Sequence, residues 1–262
     1  MIRKYTIKQI QEKIVEMMRL TIEICERNNI TYYCQAGTVL GAIRHKGMIP
    51  WDADADLIIP SNEVDRFAEC ASRELPEGYY VNYYKLGNNT HGLFPRIGIK
   101  GYATKFIHLD IFILMGIPDD RAIQEEMQCE AESYRKGNSI THTPLFFHLK
   151  SKHIKNALLH PFYKLTKGNY YADKMDELIH RYEYDKAEYV MNPFGKYKLK
   201  NVFKKEVYGE GSIVPFENLN VRIPSEYDFY LKQYYKDYMK FPDQEYVDHM
   251  MSKDFIFWEK KH

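Results

Sequence analysis

Apolar residues open the chain at helical spacing: Ile7, Ile10, Ile14, Met17, Met18 and Ile24, with Thr21 on the same stripe. Steps of three and four residues mark a helix face turned to a core. A helix is therefore predicted over 6–27, ended by Asn28-Asn29. The segment 30–34 reads as a strand, and Gly37-Thr38 turns it into a short helix over 39–45. Gly47 and Pro50 break that helix before Leu57-Ile58-Ile59, a buried strand. Ser61 or Asn62 caps a further helix to about residue 74, stopped by Pro76 and Gly78. Three β-rich stretches follow over 79–84, 93–99 and 106–114, then helices over 119–136 and 172–190. Short strands at 213–214 and 220–223 precede a tyrosine-rich helix over 225–239. The pattern is α+β, with a catalytic half over 1–118 and a mostly helical cap over 119–262.

The strand at Leu57 is preceded by Asp52-Ala53-Asp54-Ala55-Asp56. In extended backbone, alternate side chains share a face, so the three carboxylates line up about 7 Å apart. At an effective dielectric near 20 each neighbouring pair repels by roughly 2–3 kcal/mol. Such a row is either solvated or neutralised, and the apolar run behind it argues against full solvation. Oxygen ligands of this kind suit magnesium or manganese. A calcium loop is the competing pattern, but its sixth position needs glycine and here holds Leu57. Asp110 lies inside a second apolar strand, where a lone carboxylate is costly unless paired or metal-bound. Asp54, Asp56 and Asp110, with Asp52, are the expected metal ligands. Asp110 is also a candidate proton acceptor.

Upstream, Gly37 lets backbone approach a phosphate, and Thr38 adds a hydroxyl at a helix N-terminus. Arg44 and Lys46 supply positive charge, His45 is a candidate base, and Arg96 is a second candidate phosphate ligand.

Composition changes this picture little. The net charge of +1 names no partner. Four scattered cysteines, Cys25, Cys34, Cys70 and Cys129, have no zinc spacing and read as thiols in a reducing compartment. No apolar run reaches the ~18 residues of a membrane span. The N-terminus lacks a signal-peptide block, so the expected location is cytoplasmic. From Ser133 to Ala172 there is no Asp or Glu but there are seven Lys and Arg residues. This basic stretch is expected to contact an anionic membrane's inner face or a lipid-linked acceptor. No nucleic-acid module accompanies it.

The run from Gly37 through Arg44-His45-Lys46-Gly47 to Pro50-Trp51-Asp52 resembles the most distinctive stretch of the LicD family. Leu109-Asp110-Ile111-Phe112 is similar to that family's second acidic motif. Val214-Pro215-Phe216-Glu217-Asn218-Leu219 and the segment from Ile223 to Met239 resemble its C-terminal signature. The chain departs from the family pattern at Ala53, Ala55 and Lys236.

The resemblance implies a nucleotidyltransferase-like core related to polymerase β. It implies phosphocholine, or another phospho-alcohol, moving from a CDP-alcohol donor such as CDP-choline to a glycan hydroxyl, with release of CMP. Asp54 and Asp56 would be the metal pair, with Asp110 as third carboxylate. Gly37 and Thr38 would cradle phosphate, in a motif that also holds Trp51. The alternatives are nucleotide transfer from an NTP, an Asp-x-Asp glycosyltransferase, and a catalytically degenerate binding module.

Overall fold

The computed structural model describes residues 2–87, 91–102, 107–143, 169–252 and 255–258. Helix α1 (Ile7–Arg27) starts on a reciprocal cap, in which Thr6 Oγ1 accepts from Gln9 N and Gln9 Oε1 accepts from Thr6 N. Its predicted stripe is buried throughout.

A seven-stranded mixed sheet forms the centre. Its strands are β2 (Tyr33–Cys34), β3 (Asp56–Pro60), β4 (Tyr79–Asn82), β5 (Arg96–Ile99), β6 (His108–Ile117), β7 (Tyr189–Met191) and β8 (Val202–Lys204). The main path runs β2-β3-β6-β5-β4, and β7 joins β6 to β8. Only β3 and β6 are parallel; they are connected through α3 (Val64–Glu74), β4 and β5. Leu57, Ile58 and Ile59 of β3, and Ile111, Ile113, Leu114 and Met115 of β6, are essentially inaccessible. That continuous apolar run is expected of strands covered on both faces.

Strand β6 has ten residues and serves two partners in succession. Its first half lies between β3 and β5, whereas Met115–Ile117 pairs with β7. The sheet therefore continues past residue 118 into the second half of the chain. That half is not only helical. Besides α4 (Arg121–His142), α5 (Tyr170–Ile179), α6 (Tyr227–Tyr235) and α7 (Gln244–Met251), it carries β7, β8, β9 (Ser212–Phe216), β10 (Leu219–Ile223) and β11 (Phe255–Trp258). Strand β11 pairs with β1 (Ile2–Tyr5), and β9 with β10.

Three boundaries differ from expectation. The helix expected over 172–190 ends at Ile179, and Tyr189-Val190-Met191 becomes a strand because the end of β6 offers it an edge. The tyrosine-rich helix stops at Tyr235, where Lys236 takes φ +58° and cannot continue a right-handed turn. Regular strand begins only at Asp56, so Asp52 to Ala55 is an irregular approach. Phe106 and most of the basic stretch, 144–168, lie outside the described residues; Arg135 and Lys136 belong to α4.

The β9–β10 hairpin braces the loop after α2 (Gly37–Arg44). Glu217, at its turn, donates its N–H to the Lys46 carbonyl at 2.8 Å and accepts from Met48 N through Oε1 at 2.9 Å. A β-carbon on Gly47 would lie 2.2 Å from that Oε1, so only glycine fits while the carboxylate is in place. Gly47→Ala is expected to cost about 1–3 kcal/mol in urea unfolding, as other overpacked sites do. In a Glu217→Ala background the same change should cost clearly less. Equal costs in both backgrounds would remove this steric account.

Candidate active site

Register brings the acidic residues together. In the parallel pair, Asp56 of β3 stands opposite Asp110 of β6, and in the antiparallel pair Arg96 of β5 stands opposite the same Asp110. Arg96 clasps that carboxylate with two bonds, Nε to Oδ1 at 2.5 Å and Nη2 to Oδ2 at 3.1 Å. This fork is the strongest geometry available to an arginine–carboxylate pair. It makes burial of Asp110 (8% exposed) tolerable.

Asp52, Asp54, Asp56 and Asp110 all line one cavity of about 450 Å³. Burial, with the charge and hydrogen bonding of Asp54, pushes the Asp52 carboxyl up to about 7. Burial also raises Asp56 well above the ordinary carboxylate range, helped by the charges of Asp54, Asp110 and Asp52. Lys196 opposes both shifts from across the cavity. Fully ionised, the four carboxylates face two cations, Lys196 and the Arg96 already bound to Asp110. The surplus of two negative charges equals the charge of one divalent ion, and the donors are all oxygens, as magnesium or manganese prefers. In donor type and charge the residues fit such an ion. Among the described residues, no three His, Cys, Asp or Glu side chains are already arranged to hold one.

The floor of the cavity is the start of α2. Gly37 lines it, and a β-carbon there would sit 3.7 Å from Asp52 Oδ2. The preceding residue, Ala36, takes φ +43°, an unfavourable conformation for a side-chain-bearing residue. A buried polar chain holds it. Tyr230 OH accepts from Ala36 N at 3.0 Å and donates to Gln35 Oε1 at 2.8 Å. Gln35 Nε2 reaches Tyr234 OH, which in turn donates to Asn201 Oδ1 at 3.0 Å.

Not every residue expected at the site faces it. Thr38 is buried, and its Oγ1 accepts from Asp56 N at 2.8 Å. It positions an aspartate and does not offer itself to a phosphate. Arg44 is turned away. Its Nη1 donates to the Tyr238 and Lys240 carbonyls, its Nε donates to His45 Nε2, and its guanidinium lies over Trp51 and Phe241. His45 packs edge-on against Trp51 and Phe241, and burial together with Arg44 lowers its basicity. Lys46 sits at φ +60° in the loop braced by Glu217. Arg44 and His45, with Trp51, tie α2 to segment 238–241, outside the aspartate cavity. Arg96 reaches the site through Asp110.

Sequence reasoning missed Lys196, Asn192, Tyr197 and Tyr235, all lining the cavity. The signal for Lys196 is Asn192-Pro193-Phe194-Gly195-Lys196, a turn directly after Tyr189-Val190-Met191. It is legible only once those three residues are read as a strand.

Two outcomes test this account. Asp52 has a folded-state pKa raised from about 4 to about 7, so its ionisation opposes folding. Its stabilising contribution is full below pH 4 and is lost as pH rises to 7. Between those limits the metal-free wild type should lose more melting temperature than Asp52→Asn. Parallel curves would refute the shift. Tyr230→Phe leaves Ala36 N–H buried without an acceptor and is expected to cost about 1–3 kcal/mol by chemical denaturation.

A model of the family described as LicD/FKTN/FKRP, nucleotidyltransferase domain, matches residues 29–169. The lipopolysaccharide cholinephosphotransferase LicD of Haemophilus influenzae is 26% identical over 264 residues, covering 93% of this chain and 95% of that protein. The ribitol 5-phosphate transferase FKRP of Homo sapiens is 32% identical over 111 residues, 36% of this chain and 22% of that protein. An uncharacterized protein of Rickettsia typhi, RT0683, is 31% identical over 86 residues, 32% of this chain and 28% of that protein.

Proposed function

Because the chain belongs to the LicD family, we propose that it transfers a phospho-alcohol, phosphocholine in the first instance, from a CDP-alcohol to a hydroxyl of a glycan acceptor, with CMP as the leaving product. The observation that carries this reading is the convergence of Asp52, Asp54, Asp56 and Asp110 on one cavity beside Gly37 and Lys196. Relatives named as cholinephosphotransferase and ribitol 5-phosphate transferase support the reaction class. A polymerase β-like core is part of the same proposal. It is supported by the family description and by a mixed sheet with its carboxylates on the parallel pair β3 and β6.

Each residue then has a task. Asp54 and Asp56, with Asp52 and Asp110, would hold magnesium or manganese, which supplies charge neutralisation for the diphosphate when bound. Gly37, without a side chain, admits phosphate oxygens to the first turn of α2. Lys196 stabilises charge that builds on the departing CMP. The attacking hydroxyl gives its proton to a carboxylate of the cavity, and Asp110, fixed by two bonds to Arg96, is the one whose orientation is set. The rest of the acceleration comes from holding donor and acceptor in line.

Among the described residues no helix is long and apolar enough to cross a membrane. A cytoplasmic location, with contact at the inner membrane face through the basic stretch 133–172, is part of this proposal.

Product analysis tests the reaction. Incubation with CDP-choline, magnesium and a glycan acceptor should yield CMP and a phosphocholine-bearing glycan. Pyrophosphate from an NTP would instead favour nucleotide transfer. Asp54→Asn and Asp56→Asn should each lower turnover by several orders of magnitude and weaken magnesium binding in calorimetry. Near wild-type turnover in either variant would end the scheme.

A further inference from the structure

Beside the aspartate cavity lies a second one, of about 570 Å³, which shares Asp110, Phe112 and Phe194 with it. Three phenylalanine rings form its apolar side. Phe94 packs against Phe112 and Phe194 with centroids 4.8 Å away in each case. Arg135, Asn138 and Ser139 of α4 add polar lining, as do Asn82 and Arg96 from the sheet.

Three atoms of lining residues have no hydrogen-bond partner: Asn138 Oδ1 and Arg135 Nε on α4, and Asn82 Oδ1 at the end of β4. The two α4 groups are held in defined orientations. Asn138 Nδ2 donates to the His91 carbonyl at 2.9 Å, so the free atom of that amide is its oxygen, an acceptor. Arg135 Nη1 donates to the Phe194 carbonyl at 2.7 Å, which leaves its Nε–H as a donor. Asn138 is 7% exposed, and an acceptor buried that deeply without a partner is costly. Residues three apart on a helix are neighbours on one face. On α4 the cavity thus carries one fixed acceptor next to one fixed donor, with Asn82 Oδ1 as a further acceptor and the tilted phenylalanine rings as its apolar lining.

Charge narrows the occupant. Arg96 and Arg135 both line the cavity, and its single carboxylate, Asp110, is already committed to Arg96. A quaternary ammonium group would be repelled there. A flat, uncharged ring with a hydrogen-bond donor beside an acceptor matches the α4 pair, and an aromatic ring suits the phenylalanine lining. The amino group and ring nitrogen of cytosine have that pattern.

We infer that the cavity between α4 and the Phe94–Phe112–Phe194 cluster is the subsite for the pyrimidine base of the donor nucleotide. Asn138 Oδ1 accepts from the exocyclic amine, and Arg135 Nε donates to the ring edge. This inference rests on the proposed use of a cytidine nucleotide, and it adds the residues that read the base. Base in this cavity and phosphates in the aspartate cavity meet at Asp110, Phe112 and Phe194, so one nucleotide spans both. The alcohol end is then left outside the arginine-lined cavity.

Calorimetry with the full chain and magnesium tests it, using CMP and inorganic pyrophosphate as probes. Asn138→Leu should weaken CMP by at least about tenfold, from loss of one hydrogen bond to a buried group. Pyrophosphate affinity should stay within about twofold, since it has no base to lose. Unchanged CMP affinity in Asn138→Leu would overturn the subsite and leave the phosphotransfer reading intact. If wild type bound pyrophosphate but not CMP, the cytidine reading itself would fall, and the subsite with it. A hexose whose affinity depended on Asn138 while that of CMP did not would assign the cavity to the acceptor and overturn the inference. Saturation-transfer NMR on the wild type gives an answer independent of any variant's folding. Cytosine H5 and H6 should receive more saturation than the ribose protons, and the reverse order would count against the base subsite.

Discussion

Mutual repulsion among four clustered carboxylates, of which Asp54 alone is exposed, is the constraint around which the centre of this molecule is organised. Two adjacent strands place Asp56 and Asp110 side by side, and the approach to β3 adds Asp52 and Asp54. Nothing in an apolar sheet tolerates that concentration of charge without countermeasures. One is Arg96, delivered in register by β5. Another is Lys196, delivered by the turn after β7. Thr38 offers no charge but pins the backbone of Asp56. The carboxylates are consequently held in place while still in excess. That is the electrostatic condition a cation-dependent phosphoryl site requires.

How much of this was legible in the linear chain follows from the range of each interaction. Helix α1 was legible because its stripe and cap are local. So were the aspartates and Asp110, because carboxylates beside Leu57-Ile58-Ile59 and within 106–114 violate the pattern around them. The pairing of Arg96 with Asp110 was not, although both residues stood out singly. Their contact depends on antiparallel register, which no single strand reveals. Arg44, His45, Lys46 and Trp51 show the opposite failure. They are sequence neighbours of the site, yet the side chains of Arg44, His45 and Trp51 are spent on Tyr238, Lys240 and Phe241, and the Lys46 carbonyl on Glu217. A motif can therefore be long and distinctive while only part of it faces the chemistry.

The second half of the chain was the harder to read, and for a related reason. Tyr189-Val190-Met191 is too short to stand out as a strand and acquires that structure from the exposed end of β6. Asn192 and Lys196 reach the cavity only as a result. The tyrosines at 230, 234 and 235 look like an aromatic helix face in sequence. In the fold Tyr230 and Tyr234 are interior hydrogen-bonding groups that close on Gln35 and Ala36.

That closure has a consequence for how the molecule comes into being. Ala36 and Tyr230 are 194 positions apart, and Glu217 meets Met48 across 169. During synthesis the glycine-bearing floor of the cavity leaves the ribosome long before the residues that hold it in shape. Contacts of such long span form late and slowly. Until α6 and the β9–β10 hairpin dock, the nascent chain carries a half-built acidic pocket with an unrestrained Ala36. The site's shape is thus complete only once the last third of the polypeptide has folded back onto the first.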